Sequence, residues 1–244
     1  MSVLTEAPAA ATPLPPALSP GRLAWRRFRR HRLGFYSLIL FGLLFVLSLG
    51  AELIANDRPL LARYGGQLHV PLLHNPPETA FGGDFETPTD FHDPFIQRQF
   101  EQPGNWALFP PIRFHHSSIN YFAPEPHPSG PSASNWLGTD DRGRDVAARL
   151  LYGFRLSVLF ALALTAVGVL LGVLAGAIQG YYGGRVDLVG QRFIEVWGSM
   201  PELYLLIIFS ALFEPGLLLL LVLLSLFGWK GLSDYVRAEF LRNR

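Results

Sequence analysis

Apolar residues in this chain come in long unbroken runs, not in the short alternations of a water-soluble sheet. The first, residues 33–54, reads LGFYSLILFGLLFVLSLGAELI and carries one charge, Glu52, near its far end. As a helix it spans about 33 Å, enough for a hydrocarbon core of about 30 Å. It is too long for the apolar part of a secretory leader, and no small-residue cleavage pattern follows it. The pattern therefore predicts an uncleaved transmembrane helix over residues 33–55. The second run, residues 156–178, has no charge at all. In it Gly168, Gly172 and Gly176 recur at every fourth position, and Ala161 and Thr165 extend the stripe. Small residues at that spacing share one helix face and let a second backbone come close. The three glycines read as a packing seam, and the helix as one member of a bundle.

Residues 179–192 read as a short polar turn broken at Gly183 and Gly184. A third span follows over residues 193–213. Pro201 should kink it, because proline lacks a backbone donor and its ring clashes with the preceding turn. Glu195 and Glu202 fall about 10 Å apart on a similar face. Two readings stay open for Glu202. It faces a cavity or partner, as an intramembrane carboxylate must, or the helix starts later and both glutamates sit among head groups. Pro201 and Glu202 are the candidate kink and pathway residues. The fourth run, residues 217–229, covers only about 20 Å as a helix. It reaches the interface only if KGLSDY continues the helix with Lys230 snorkelling.

Between the first two runs the chain changes character. Residues 56–135 are rich in proline, with aromatic and acidic residues interleaved. They predict a water-facing insertion of loops, turns and short strands, small enough to lean on the membrane part. Residues 1–20 are Ala/Pro-rich and read as a disordered or polyproline-like tail. The cluster RLAWRRFRRHR follows. A basic amphipathic segment suits nucleic acid or anionic lipid, and its place against an apolar run favours lipid. Its arginines put the N-terminus (residues 1–32) in the cytoplasm and the insertion on the outer, periplasmic side. The net charge of +1 gives no bulk argument for nucleic acid. The absence of cysteine removes disulfides, thiolate metal sites and a cysteine nucleophile.

The stretch NWLGTDDRGRDV sets a dense knot of charge at the door of the second run. A calcium loop needs alternating oxygen ligands and net negative charge, and Arg142 and Arg144 inside the knot cancel its acids. A catalytic pair of Asp140 and Asp141 is disfavoured because neighbouring loop side chains diverge and no nucleophile stands at fixed spacing. A helix-entry signal explains more residues. Thr139 or Asp140 caps a helix, Asp141 sits in its first turn, Gly143 marks a tight point, and Asp145 pairs with Arg149 one turn on. Residues 136–155 then read as an interfacial helix lying along the outer membrane surface.

At these residues a resemblance enters. NWLGTDDRGRDVAARLLYGFRLSVLF followed by GAIQGYYGGRVDLVGQRFIEVWGSMPELYLLII resembles the C-type permease subunit of peptide ABC transporters. The Y-x-G-G-x-V-D pattern is specific to the dipeptide/oligopeptide group. In the insertion, ETAFGGDFETPTDFHDP, PPIRF and INYFAPEPHPSGPSASNWLGTDD are similar to the microcin C/oligopeptide importer branch. The resemblance implies an all-α polytopic membrane protein of about four transmembrane helices. Residues 156–244 would be an incomplete type-1 ABC importer core, and residues 56–135 a small periplasmic insertion added to it. It implies a bacterial inner-membrane transport subunit that is not an enzyme and holds no cofactor, ATP being bound by a partner ATPase. A second permease subunit would complete a heterodimer, a periplasmic peptide-binding protein would deliver substrate, and membrane lipid would surround it. Family members continue into an E-A-A…G loop that docks the ATPase and into two more helices. The sequence stops at Arg244, so the expectation is a truncated chain that does not couple to ATP hydrolysis by itself. The residues also allow a membrane-anchored periplasmic binding or enzymatic module, or an intramembrane hydrolase using Glu195 or Glu202. Three further spans and a glycine seam are superfluous in an anchor, and the spans lack an H-E-x-x-H set.

Overall fold

A computed structural model describes residues 19–121, 123 and 125–243. The expected disordered tail over residues 1–18 lies outside them. The chain divides into a unit over residues 1–47 and a unit over residues 48–244. In the first, α1 (Pro20–Arg30) begins with proline in its first turn, where a missing N–H costs nothing. His31 interrupts it, and α2 (Arg32–Leu49) follows. The α2 helix is apolar on all sides and passes the length and hydropathy requirements of a membrane span.

The second unit opens with α3 (Ala51–Ile54), a single turn, and continues into the insertion. Three short strands, β1 (Leu61–Tyr64), β2 (Gln67–His69) and β3 (Trp106–Leu108), form an antiparallel sheet in the order β2-β1-β3. Helix α4 (Pro94–Phe100) lies between β2 and β3 in the chain, capped by the Asp93 carboxylate. The insertion is less irregular than its proline content predicts, because it has a core of its own. Ala62, Phe81, Phe91 and Ile96 are buried together, with Tyr64, Phe100 and Phe109 packed against them. Phe81 meets Tyr64, Phe91 and Phe100 at ring-centroid distances of 5.8, 5.5 and 5.3 Å. Aromatic rings bury so much apolar surface per residue that a few suffice. A second buried cluster, Ala51, Ala55, Ile112, Ala148 and Tyr152, ties α3 and the insertion to the helix that follows.

That helix, α5 (Val146–Tyr182), is 37 residues long and unbroken. It corrects the expected organisation. No separate interfacial helix precedes the second run: residues 136–145 are turns, and the helix that begins at Val146 continues straight into the apolar stretch. The expected polar turn over residues 179–192 shrinks to Gly183, after which α6 (Gly184–Gly198) resumes at once. Gly183 and Gly184 both have positive φ, 60° and 51°, a conformation that L side chains adopt only at a cost. Helix α6 meets α7 (Glu202–Leu212) at a 66° bend around Pro201. Finally α8 (Leu217–Gly228) and α9 (Lys230–Asn243) together form a helical stretch of 27 residues that contains an apolar segment long enough for a span. The fourth run is therefore long enough, because the helix continues past Trp229. Among the described residues three helices meet the requirements for crossing a membrane, or four if α6 and α7 count as one bent span.

Candidate functional site

The charge knot folds into a closed hydrogen-bonded loop. Asp140 is its hub: Oδ1 accepts from the amides of Arg142 and Arg144, both at 2.9 Å. Oδ2 accepts from Arg144 Nε at 2.9 Å and from Arg149. Burial opposes ionisation here, but the Arg144 amide and guanidinium and the Arg142 amide outweigh it and hold the carboxyl well below the usual range. Asp145, wholly buried, caps α5: Oδ1 accepts from the Ala148 amide at 2.7 Å and Oδ2 from Asn135 Nδ2 at 2.8 Å. Asn135 in turn accepts from Asn120 at 2.8 Å. These contacts correct two expectations. The cap is Asp145, not Thr139 or Asp140, and Arg149 pairs with Asp140, not with Asp145. Thr139 instead holds the loop, its Oγ1 accepting from the Ser129 amide and bonded to His127 Nδ1 at 2.8 Å. Gly143 has φ +77°, and a Cβ there would lie 2.5 Å from the His127 ring.

One turn and more along α5, the helix grips the start of the insertion. Tyr152 donates to the Ala55 carbonyl at 2.9 Å. Arg155 donates to both Glu52 carboxylate oxygens, at 2.8 and 3.0 Å, and its guanidinium lies 5.0 Å from the Tyr152 ring. His115 and His116 pack on the same tyrosine at 4.9 and 4.8 Å, with their own rings 4.0 Å apart. Burial and the neighbouring His116 lower the His115 pKa, while Asp57 and Glu52 act the other way.

At the other end of α5, α9 runs beside it. Contacts climb both helices together, so the two are parallel. A Cβ on Gly172 would meet Leu232 Cβ at 2.9 Å and the Trp229 carbonyl at 3.0 Å. On Gly176 it would strike the Ser233 carbonyl, and Val236 Cβ at 2.8 Å. Gly180, which spacing also allows, continues the line: its Cβ would lie 2.5 Å from Phe240 Cβ. Gly168 is different. Nothing lies within 4 Å of its Cβ position, because the contact with α9 begins only at Gly172. The seam is thus Gly172, Gly176 and Gly180, shifted one turn from the expected set.

Polar groups lock this end. Gln179 donates to Ser233 Oγ at 3.4 Å and accepts from Gln191 at 3.0 Å. Asp187 of α6 receives two hydrogen bonds from Arg237 of α9, the Nη2 one at 2.7 Å. Sequence reasoning missed this pair, although Asp187 is the last residue of Y-x-G-G-x-V-D. Further along, Trp197 donates to the Leu226 carbonyl at 2.9 Å and stacks on Phe227. Glu195 and Glu202 do not share a helix face, since the bend at Pro201 separates them. Glu195 pairs with Arg192 at 2.6 Å, and Glu202 with Lys230 at 3.1 Å.

Two consequences are measurable. Gly176→Val should destabilise the chain by about 1–3 kcal/mol through overpacking, whereas Gly168→Val should leave it nearly unchanged; thermal unfolding in detergent compares them. The His115 docking contact has a pH sign. The docked imidazole binds a proton less readily than a free one, so its contribution is complete above about pH 6.5 and is lost as pH falls below it. Protection of the amides around residues 112–121, taken as the intrinsic exchange rate at each pH divided by the observed rate, should therefore be lower at about pH 5.5 than at about pH 7.5, and His115→Phe should flatten the difference.

A profile for the N-terminal TM domain of oligopeptide transport permease C matches residues 19–77. The chain is 54% identical over 228 residues to the inner membrane ABC transporter permease protein YejE of Escherichia coli K12, covering 93% of this chain and 67% of that protein. It is 46% identical over 244 residues to the peptidoglycan transport system permease protein YejE of Agrobacterium fabrum, covering 90% and 64%. Against the dipeptide transport system permease protein DppC of Bacillus subtilis it is 40% identical over 112 residues, 46% of this chain and 35% of the other. The chain spans about two thirds of the length of the first two relatives. Together with its apolar helices, these likenesses favour a transport subunit over an anchored module or a hydrolase. The chain belongs to the permease subunits of the peptide ABC transporter family, multi-pass proteins of the inner membrane that are not enzymes.

Proposed function

We infer that this chain forms part of the membrane pathway of an ATP-driven, binding-protein-dependent importer for oligopeptides of the microcin C type. The observation that carries the reading is the 54% identity to a full inner-membrane permease over nearly all of this chain, joined to a bundle built for close helix packing. Its partners are a second permease subunit in a heterodimer, a cytoplasmic ATPase that binds the ATP, and a periplasmic peptide-binding protein. The work of this subunit is helix rearrangement around a shared pathway, with no bond made or broken by its own side chains.

Helix lengths and charge placement support the topology of this reading. An unbroken helix of 37 residues is about 55 Å long, far more than the hydrocarbon core of about 30 Å. With Glu52 and Arg155 paired at the outer boundary, residues 156–178 cross the core, and Val146–Arg155 projects into the periplasm. The reading thus raises the Asp140 loop and the insertion above the bilayer. The basic α1 stays in the cytoplasm, where positive charge is retained. In this arrangement α5 and α8–α9 both descend and the bent α6–α7 segment returns between them. Gly168, open within the chain, is a surface for the second permease subunit.

Affinity purification from membranes that carry all the subunits tests the assignment. Recovery of a second permease and an ATPase with this chain is the expected result. Recovery of this chain alone, from membranes where the other subunits are present, would count against it.

A further inference from the structure

We propose that a cavity in the insertion binds a small zwitterion, a molecule with an ammonium and a carboxylate on an apolar body. The cavity holds about 320 Å³, within the range of about 300–1,000 Å³ usual for small-ligand sites. The buried rings of Phe91 and Phe114 line it, together with Asp57, Arg58, Asp90 and His92. Both signs of charge share this space without meeting. Among the described residues the partly buried Arg58 guanidinium forms neither an ion pair nor a hydrogen bond, with these acids or any other group. A charge drawn partly out of water needs a partner, and the chain supplies Arg58 with none.

The walls are fixed by the local fold. Buried Asn56 accepts from the Arg58 amide through Oδ1 at 3.1 Å, and its Nδ2 reaches the Glu52 carbonyl at 3.5 Å. That turn sets the backbone on which Asp57 and Arg58 stand. Ser118 Oγ donates to Asp57 Oδ2 at 2.9 Å, and among the described residues Asp57 Oδ1 receives no donor. His92 stacks on Phe114 at 4.8 Å and donates through Nε2 to the Arg113 carbonyl at 2.8 Å. Asp90 stands at the rim, its side chain 74% exposed. A ligand carboxylate matches the donor fork of Arg58, and a ligand ammonium matches the free Asp57 oxygen. Phe91 and Phe114 suit an apolar group between the charged ends. A plain anion would meet Asp57, and a plain cation would meet Arg58; a zwitterion answers both. Free amino acids and short peptides share this chemistry. The inference goes beyond the transport reading and does not need it, because this chain binds the ligand by itself.

Equilibrium dialysis of the full chain in lipid nanodiscs tests this, with empty nanodiscs as the blank. The probes are labelled leucine and Leu-Leu, and the N-acetylated and C-amidated forms of each. Saturable binding of leucine, of Leu-Leu or of both is expected, and the tighter one identifies the source. Each blocked form should bind on the order of tenfold more weakly, the loss of one charge-assisted contact. Arg58→Gln should weaken the zwitterion by a similar factor and leave the amidated form unchanged. Asp57→Asn should weaken the zwitterion and leave the acetylated form unchanged. On the unaltered chain, ligand should slow hydrogen exchange around residues 56–60 and 117–121. No binding above the blank up to about 1 mM of both zwitterions would overturn the proposal. So would binding indifferent to either block, or slowed exchange elsewhere with none at those residues. Ligand forms and exchange are compared on the unaltered chain, so the result stands even if the variants fail to fold.

Discussion

Two helix backbones in the membrane part lie close enough to exclude a side chain between them, and the rest of the bundle is arranged around that fact. Lipid tails are as apolar as leucine, so burial alone gives helices no reason to associate; close packing and hydrogen bonds must do it. Gly172, Gly176 and Gly180 give α9 room to lie against α5. Once the backbones are close, groups that would be costly in lipid find partners. Gln179 reaches Ser233 and Gln191, and Arg237 reaches Asp187. The polar lock on α6 adds to the glycine contact, since Asp187 of α6 and Arg237 of α9 join the third helix to the close-packed pair. The Gly183–Gly184 pair carries the chain from α5 into α6, and the 66° bend at Pro201 separates α6 from α7.

At the opposite end of α5 the charges serve a different purpose. The opening of a helix leaves amides without partners, and here they lie beside the buried Asp145 and Asn135. Asp145 satisfies one of them and is held in place by Asn135 and Asn120. Asp140 gathers Arg144 and Arg149, so its one carboxylate offsets part of the positive charge beside the helix start. The same economy recurs at Glu52 and Arg155, where a pair of charges joins the short α3 turn to α5. Capping and pairing account for the density of charge at the door of the apolar run.

The apolar runs were legible because length and lack of charge are the whole signal. The period of four in the glycines was legible too, but their partner was not, so the seam came out one turn early: Gly168 and Gly180 both satisfy the spacing, and only the position of α9 separates them. The helix start was ambiguous for a chemical reason. Thr139, Asp140 and Asp145 are all good caps, and the choice falls on Asp145 because Asn135 buries it and the other two are held by the loop. The polar stretch after Tyr182 looked like a turn because of its glycines and charges. The charges in fact belong to a helix whose Asp187 answers a residue 50 positions away, a separation that no local pattern reveals. The aromatic core of the insertion was hidden similarly, because its rings come from strands, turns and a short helix with no common period.

The parallel contact between α5 and α9 is the central claim, and a cross-link tests it in the membrane. The chain has no cysteine of its own, and an ideal Cβ at position 176 would stand 2.8 Å from Val236 Cβ, closer than the usual disulfide separation of about 3.5–4.5 Å, so a small outward shift of the two helices brings the pair to bonding distance. With Gly176→Cys and Val236→Cys together, mild oxidation should join the two helices rapidly, detected as an internal cross-link after cleavage between them. Gly168→Cys with Val236→Cys, two turns out of register, should stay reduced. Rapid joining of the second pair with none of the first would contradict the packing described above.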